Sequence, residues 1–102
     1  AKGYWMGARA ALRQMLKQEV SQVSGLRGRI INISSQHGMV CCPGDIAYGV
    51  GKAAAVYMTR QLAVDYAKEH VACNAVAPGK IVTGFDSDVR EYSRMRTPVP
   101  RM

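Results

Sequence analysis

The sequence has few cysteines, few acidic residues and no long apolar run. Its three cysteines form no C-x-x-C pair and no His/Cys cluster at metal-ligand spacing, so we expect no metal site. An odd number of thiols in this pattern is typical of a reducing compartment, and we expect the cytoplasm. No apolar run approaches the about 20 residues that a membrane-spanning helix needs.

Acidic residues are scarce relative to basic ones: the chain has 7 Asp and Glu and 14 Lys and Arg, which gives a formal charge of +7. Arg9, Arg13 and Lys17 repeat every four residues, and further arginines lie within residues 90–101. Such a balance can attract nucleic acid or anionic lipid. No aromatic residues interleave with the basic positions, as single-strand binding requires, so we favour a solvated helix face and expect no nucleic-acid partner.

The residue pattern predicts alternating helices and strands. Three-and-four spacing of apolar residues predicts a helix over 4–20, and the β-branched stretch "RIINIS", 29–34, predicts a buried parallel strand. A long helix is expected over 46–69 with Asp45 as its N-cap, and "VACNAV", 71–76, predicts a second buried strand.

A strand, a long helix and a second strand form a crossover between parallel strands. The predicted fold class is therefore α/β, with helices on the faces of a parallel sheet. Two strands do not make a stable open sheet, so we expect these residues to be a fragment of a larger α/β domain.

The stretch "YGVGK" places a phenol and an ammonium on one helical face, because Tyr48 and Lys52 are four residues apart. A nearby ammonium favours the phenolate, which allows proton exchange with an alcohol or carbonyl oxygen. Alone, this spacing is a weak signal. Gly49 and Gly51 lower helix stability, which suggests that another group approaches the backbone there.

Further polar groups follow the predicted strands, where ligands bind in open α/β sheets. Ser35 follows the first strand and can donate to a substrate oxygen. Pro78 and Gly79 follow the second strand. Beyond them, the Ile81 backbone and the Thr83 hydroxyl are available to a planar ligand.

These motifs, in this order, resemble the classical short-chain dehydrogenase/reductase family. The matching stretches are "INISS", "YGVGK", "NAVAPGKIVT" and the opening "AKGYWMGARAALRQMLKQ", which together cover nearly the whole chain. The resemblance implies that residues 1–102 are a fragment of one NAD(P)-binding catalytic domain with a partial Rossmann-like, doubly wound parallel sheet.

The resemblance also implies a nicotinamide-dependent oxidoreductase acting on an alcohol or ketone. Tyr48 is then the proton donor or acceptor, Lys52 activates it and holds the nicotinamide ribose, and Ser35 orients the substrate carbonyl. The residues expected to contact the cofactor are Tyr48, Lys52, Pro78, Gly79, Ile81 and Thr83. The helices at 4–20 and 46–69 are expected to form the interface of a homodimer or homotetramer.

The chain also departs from the family pattern. The Gly-rich pyrophosphate turn and the segment that separates NAD from NADP are absent, and the catalytic Asn is expected just before Ala1. Gly51 stands where the family most often has serine. We expect residues 1–102 alone to be inactive, and the alternative is a truncated, inactive paralogue that serves only as a dimerising piece.

The remaining candidates carry weaker expectations. We expect His37 to be an exposed loop residue, His70 to interact with a helix dipole, and Tyr4 and Trp5 to serve packing. The residues that could line a substrate site are Met39, Cys41, Cys42 and Phe85. Nothing in this set selects a substrate.

Overall fold

The four predicted elements are present, in the predicted order, in a computed structural model that describes residues 1–81 and Met95. The elements are helix α1 (Lys2–Met15), strand β1 (Gly28–Ile33), helix α2 (Ile46–Tyr66) and strand β2 (Val71–Val76). Short 3₁₀ turns follow β1 (Gln36–Gly38) and α2 (Ala67–Glu69). No helix within this part of the chain is both long and apolar enough to cross a membrane.

Helix α1 ends at Met15, earlier than the predicted residue 20. A reciprocal pair of contacts holds the chain beyond it. The Gln18 side-chain amide donates to the Arg27 carbonyl at 2.8 Å, and the Arg27 guanidinium donates to the Gln18 carbonyl at 2.7 Å. These bonds fix the connection that leads into β1, and they replace the last helical turn that the apolar spacing predicted.

Helix α2 also ends slightly before its predicted limit, at Tyr66, and its last three predicted residues form the 3₁₀ turn. His70 follows in the left-handed conformation, with φ of 59°. A left-handed residue commonly terminates a helix and reverses the chain. His70 therefore marks the turn from α2 into β2.

The two strands are parallel neighbours, paired from Gly28 with Val71 to Ile33 with Val76, as the predicted crossover requires. Burial alternates along β1, so one face of the strand is covered and the other is open. The expectation of a buried strand holds for one face of β1 only in the described residues, because Ile31 on the other face is 62 % exposed.

Both helices pack on the same face of the sheet. Side chains of α1 and α2 join one cluster with the inward-facing residues of both strands. Its buried members are Ala8, Leu12, Ile30, Leu62, Val71 and Cys73. Burial raises the pKa of the Cys73 thiol. Cys73 therefore behaves as a small apolar core residue rather than a nucleophile.

A line of buried polar residues, here called the polar seam, joins β1 to α2 and consists of Asn32, Ser34 and Thr59. The Asn32 side-chain amide donates to Thr59 Oγ1 at 2.9 Å, and Thr59 donates in turn to the Ala55 carbonyl at 2.7 Å. Ser34 Oγ donates to the Lys52 carbonyl at 2.8 Å. Buried polar groups are costly unless paired, so the polar seam favours a single position of α2 over the sheet.

Replacing the Thr59 hydroxyl is expected to destabilise the protein, because it leaves the buried Asn32 amide without its acceptor. In the full-length protein that contains this chain, Thr59→Val should lower the free energy of unfolding by about 1–3 kcal/mol, measured by urea denaturation. Thr59→Ser keeps the hydroxyl and should cost less. Equal free energies of unfolding for the Val and Ser variants would show that the Thr59 hydroxyl adds nothing to stability.

Candidate active site

The polar residues that follow the two strands lie together at the carboxyl edge of the sheet. The Ser34 N–H donates to the Val76 carbonyl at 2.8 Å, and the Gln36 N–H donates to the Pro78 carbonyl at 3.1 Å. These two bonds tie the loop after β1 to the loop after β2. Ser35 and the Pro78–Gly79 loop thus each follow their strand, as predicted, and lie at the same edge of the sheet.

Ser35 starts the 3₁₀ turn and is buried, with 8 % of its surface exposed. Its Oγ accepts a hydrogen bond from the His37 N–H at 3.2 Å. Accepting this bond fixes the oxygen, and it leaves the one hydroxyl hydrogen of Ser35 to be donated elsewhere.

Glycine permits a close approach between this turn and α2. A Cβ atom on Gly38 would lie 2.8 Å from both the carbonyl carbon and the oxygen of Lys52, which are backbone atoms that cannot rotate away. Gly49 is also approached, with the His37 carbonyl 3.3 Å from an added Cβ, whereas none of the described residues comes within 4 Å of a Cβ on Gly51. The expectation that a group approaches the backbone is therefore confirmed for Gly49, whereas at Gly51 it stays a prediction.

Tyr48 and Lys52 lie one helical turn apart near the start of α2, as predicted, and Lys52 Nζ is 5.6 Å from the centroid of the Tyr48 ring. Nζ is also 5.4 Å from the Tyr4 ring centroid. It donates hydrogen bonds to the Tyr4 hydroxyl at 2.8 Å and to the Ile33 carbonyl at 3.1 Å. Tyr4, which was expected to serve packing, also places its hydroxyl in contact with the site lysine.

The environment of Lys52 favours the ammonium form. The hydrogen bond to the Tyr4 hydroxyl raises the pKa of Lys52 above its ordinary value, with partial desolvation opposing this and the charges of the two tyrosines adding to it. The amine therefore stays protonated throughout the neutral range. The site holds one permanent positive charge beside two phenols.

His37 connects the turn after Ser35 to the start of α2. Its ring meets the Tyr48 ring edge-on, with centroids 6.2 Å apart, and its Nδ1 lies 3.2 Å from Asp45 Oδ2. Asp45 occupies the predicted N-cap position, but its side chain makes no capping bond. His37 is thus only partly exposed and makes specific contacts, which its loop position did not predict.

Cys42 lies close to the His37–Asp45 pair, and one ligand-type atom from each of the three residues falls within 4.8 Å of the others. Sequence spacing did not indicate this cluster, because the loop must fold back to assemble it. The His37–Asp45 contact already gives both polar side chains a partner. The cluster therefore links the loop to α2 without requiring an ion.

An apolar groove of about 480 Å³ runs between the loop and α2. Three of the predicted substrate-lining residues, Met39, Cys41 and Cys42, share it with His37 and Val50. The fourth, Phe85, lies outside the described residues. Because His37 and Gly49 border both the groove and Tyr48, the groove adjoins the tyrosine.

The structure describes three of the four predicted cofactor-contacting residues that follow β2, namely Pro78, Gly79 and Ile81. An added Cβ on Gly79 would lie 3.3 Å from the Gln36 side-chain oxygen, so this glycine lies directly against the loop after β1. Ile81 follows as an exposed residue, with 64 % of its surface accessible. Thr83 lies outside the described residues.

Comparison with known proteins gives consistent matches over almost the whole chain. A family model described as short chain dehydrogenase matches residues 1–94. Glucose 1-dehydrogenase 2 of Bacillus subtilis is 36 % identical over 95 residues, which are 92 % of this chain and 34 % of that protein. The 2-(R)-hydroxypropyl-CoM dehydrogenase of Xanthobacter autotrophicus is 42 % identical over 82 residues, 80 % of this chain and 30 % of that protein.

A solved structure agrees with these matches. The crystal structure of acetoin dehydrogenase YohF from Salmonella typhimurium superposes with a TM-score of 0.66 at 34 % identity, covering 86 % of this chain and 34 % of that one. The chain thus spans about a third of the length of the relatives it matches.

The close approach at Gly38 is directly testable. In the full-length protein, Gly38→Ala forces its methyl group against the Lys52 backbone and should lower the free energy of unfolding by about 1–3 kcal/mol. Gly51→Ala is the matched control, because open space around it and the helical propensity of alanine predict a stability gain of up to about 1 kcal/mol. Thermal unfolding measures both, and a Gly38→Ala protein as stable as Gly51→Ala would contradict the observed approach.

Proposed function

The chain belongs to the short-chain dehydrogenase family, and we propose that the protein containing it is an NAD- or NADP-dependent oxidoreductase acting on an alcohol or ketone. Two observations carry this proposal: Lys52 lies beside the Tyr48 ring on α2, and His37 in the turn that begins at Ser35 contacts the same ring. Its relatives include dehydrogenases by name, and their shared family supports a dehydrogenase activity in general.

Proton transfer in the proposed reaction falls to Tyr48. Its side chain is about half exposed, with 48 % of the residue surface accessible, so a substrate oxygen can reach the hydroxyl. The Lys52 ammonium lies 5.6 Å from the centroid of its ring, so its positive charge can stabilise negative charge that develops on the tyrosine oxygen during the transfer. During reduction of a ketone, the Tyr48 hydroxyl gives its proton to the oxygen that becomes the alcohol, and oxidation of an alcohol runs the same step in reverse.

Ser35 has a different role in the proposal, which is to hold the substrate oxygen. Its Oγ is fixed by the His37 N–H and retains a hydrogen to donate. Donation to a carbonyl oxygen stabilises the negative charge that develops there during reduction. Ser35 and Tyr48 then act on the same oxygen, one by hydrogen bonding and the other by proton transfer.

The donor set at the site fits a nicotinamide nucleotide, which accepts or supplies the hydride when bound. An ammonium has three donors, and Lys52 uses two of them on Tyr4 and Ile33. The third has no acceptor among the described residues, and we assign it to a ribose hydroxyl. The loop from Pro78 to Ile81 is proposed to hold the carboxamide through the Ile81 backbone, and Thr83 is proposed to add its hydroxyl.

The proposal extends to the assembly and the compartment. Large apolar side chains remain exposed on the two helices, including Trp5, Met6 and Val64. Such residues favour burial against another protein surface, so we propose a homodimer or homotetramer formed through α1 and α2. The unpaired thiols of the described residues favour the cytoplasm. Neither nucleic acid nor a membrane is part of the proposed function.

Removing the Tyr48 hydroxyl is expected to abolish turnover. In the full-length protein, Tyr48→Phe should lower kcat about 100- to 10,000-fold and leave cofactor affinity largely unchanged, since the ring remains. Tyr57→Phe is the matched control, because Tyr57 is exposed on the same helix and its hydroxyl contacts only Gln61 among the described residues. Turnover of Tyr48→Phe within a few-fold of the parent enzyme would rule out the assigned proton donor.

The pH profile tests the role assigned to Lys52. Alcohol oxidation by the parent protein should rise with pH through one ionisation. Lys52→Met removes the charge that favours the phenolate, so the inflection should move to higher pH and cofactor binding should weaken. Lys52→Arg keeps a positive charge and should move the inflection less. An unmoved inflection in Lys52→Met would limit the lysine to a structural role.

A further inference from the structure

Tyr4 forms a closed set of hydrogen bonds with Lys52 and the end of β1. Its hydroxyl donates to the Ile33 carbonyl and accepts from Lys52 Nζ at 2.8 Å, while Nζ also donates to the same carbonyl at 3.1 Å. Tyr4 lies in the first turn of α1, 48 residues before Lys52. One hydroxyl therefore links α1, β1 and α2 at the proposed site.

The geometry restrains a side chain that is otherwise free to move. Lysine has a flexible four-carbon stem and needs fixed partners to hold its ammonium in one place. Here the ammonium lies between two aromatic rings, 5.4 Å from the centroid of Tyr4 and 5.6 Å from that of Tyr48. Both rings attract the cation, but only Tyr4 also accepts a hydrogen bond from it.

The hydrogen bonds to Tyr4 and Ile33 also determine from which side a ligand can reach the Lys52 ammonium. Tyr4 and Lys52 line a groove of about 480 Å³ along α1 and the edge of β1. With two of its three hydrogens directed at Tyr4 and Ile33, the ammonium keeps a third hydrogen that no other described residue accepts, and this hydrogen can bond to a ligand. Loss of the Tyr4 acceptor would free the lysine to turn into the groove.

We propose that Tyr4 is a positioning residue, which holds the Lys52 ammonium between the Ile33 carbonyl and Tyr48 and thereby directs its remaining donor to the nicotinamide ribose. This inference rests on the proposed function, since the ribose is the ligand assigned there to Lys52. The raised pKa of Lys52, for which the Tyr4 hydrogen bond is the main cause, agrees with the contact.

The test uses Tyr4→Phe in the full-length protein, which keeps the ring and removes the hydroxyl. The first readout is independent of activity: acetic anhydride labels the neutral form of each lysine, and mass spectrometry follows labelling of Lys52 against pH without cofactor. The labelling midpoint of Lys52 should fall in Tyr4→Phe, because the bond that favours the ammonium is gone. Tyr57→Phe is the control and should leave the midpoint in place.

The second readout is steady-state kinetics. Tyr4→Phe should raise the KM for the nicotinamide cofactor about three- to tenfold, a loss expected for one hydrogen bond, and leave the KM for the alcohol nearly unchanged. A purely structural role of Tyr4 would lower the unfolding midpoint without moving either the labelling midpoint or the cofactor KM, and that result would overturn the proposal.

The outcomes separate this inference from the proposed function. If the parent enzyme is active and Tyr4→Phe matches it in both readouts, the role proposed for Tyr4 is overturned and the proposed function stands. A parent protein without activity on either cofactor overturns the proposed function and the ribose role, while the labelling midpoint still decides the Tyr4–Lys52 contact. If Tyr4→Phe does not fold, the contact is tested in the parent protein by comparing the labelling midpoints of Lys52 and the exposed Lys17. A higher midpoint for Lys52 supports the contact with Tyr4, and equal midpoints refute it.

Discussion

The contact between the end of β1 and the backbone of α2 at Lys52 is the constraint on which the candidate site depends. Ser34 donates to the Lys52 carbonyl, and Gly38 brings the following turn against the same peptide group. Because the carbonyl belongs to a helix, holding it fixes the height and rotation of α2 over the sheet. The direction of the Tyr48 and Lys52 side chains follows from that rotation.

The polar seam explains how a small core specifies one arrangement. The buried apolar cluster is non-directional and tolerates small shifts of α2, whereas the bonds of Asn32 and Ser34 reach their acceptors in one register only. Hydrogen bonds of this kind add modest net stability, but leaving them unmade is costly. The protein thus uses apolar burial to hold α2 on the sheet and buried polar contacts to place it.

Helix α1 is part of the site as well as part of the core. Its buried residues Ala8 and Leu12 lie one and two turns beyond Tyr4, so the packing that anchors α1 also sets where the Tyr4 hydroxyl lies. That hydroxyl contacts both Lys52 and the last residue of β1. A shift of α1 along the sheet would therefore change the environment of the lysine directly.

Local patterns in the sequence determined the elements, their order and the pairing of Tyr48 with Lys52, because periodicity and i, i+4 spacing act within a few residues. They also predicted that Ser35 and the Pro78–Gly79 loop share an edge, since parallel strands align their carboxyl ends. The sequence did not reveal that Tyr4 contacts Lys52, that His37 pairs with Asp45 near Cys42, or that Gly38 touches α2. These contacts join segments that are not neighbours on any one helix or strand, and they exist only once helices and loops have packed, so the tertiary structure alone decided them.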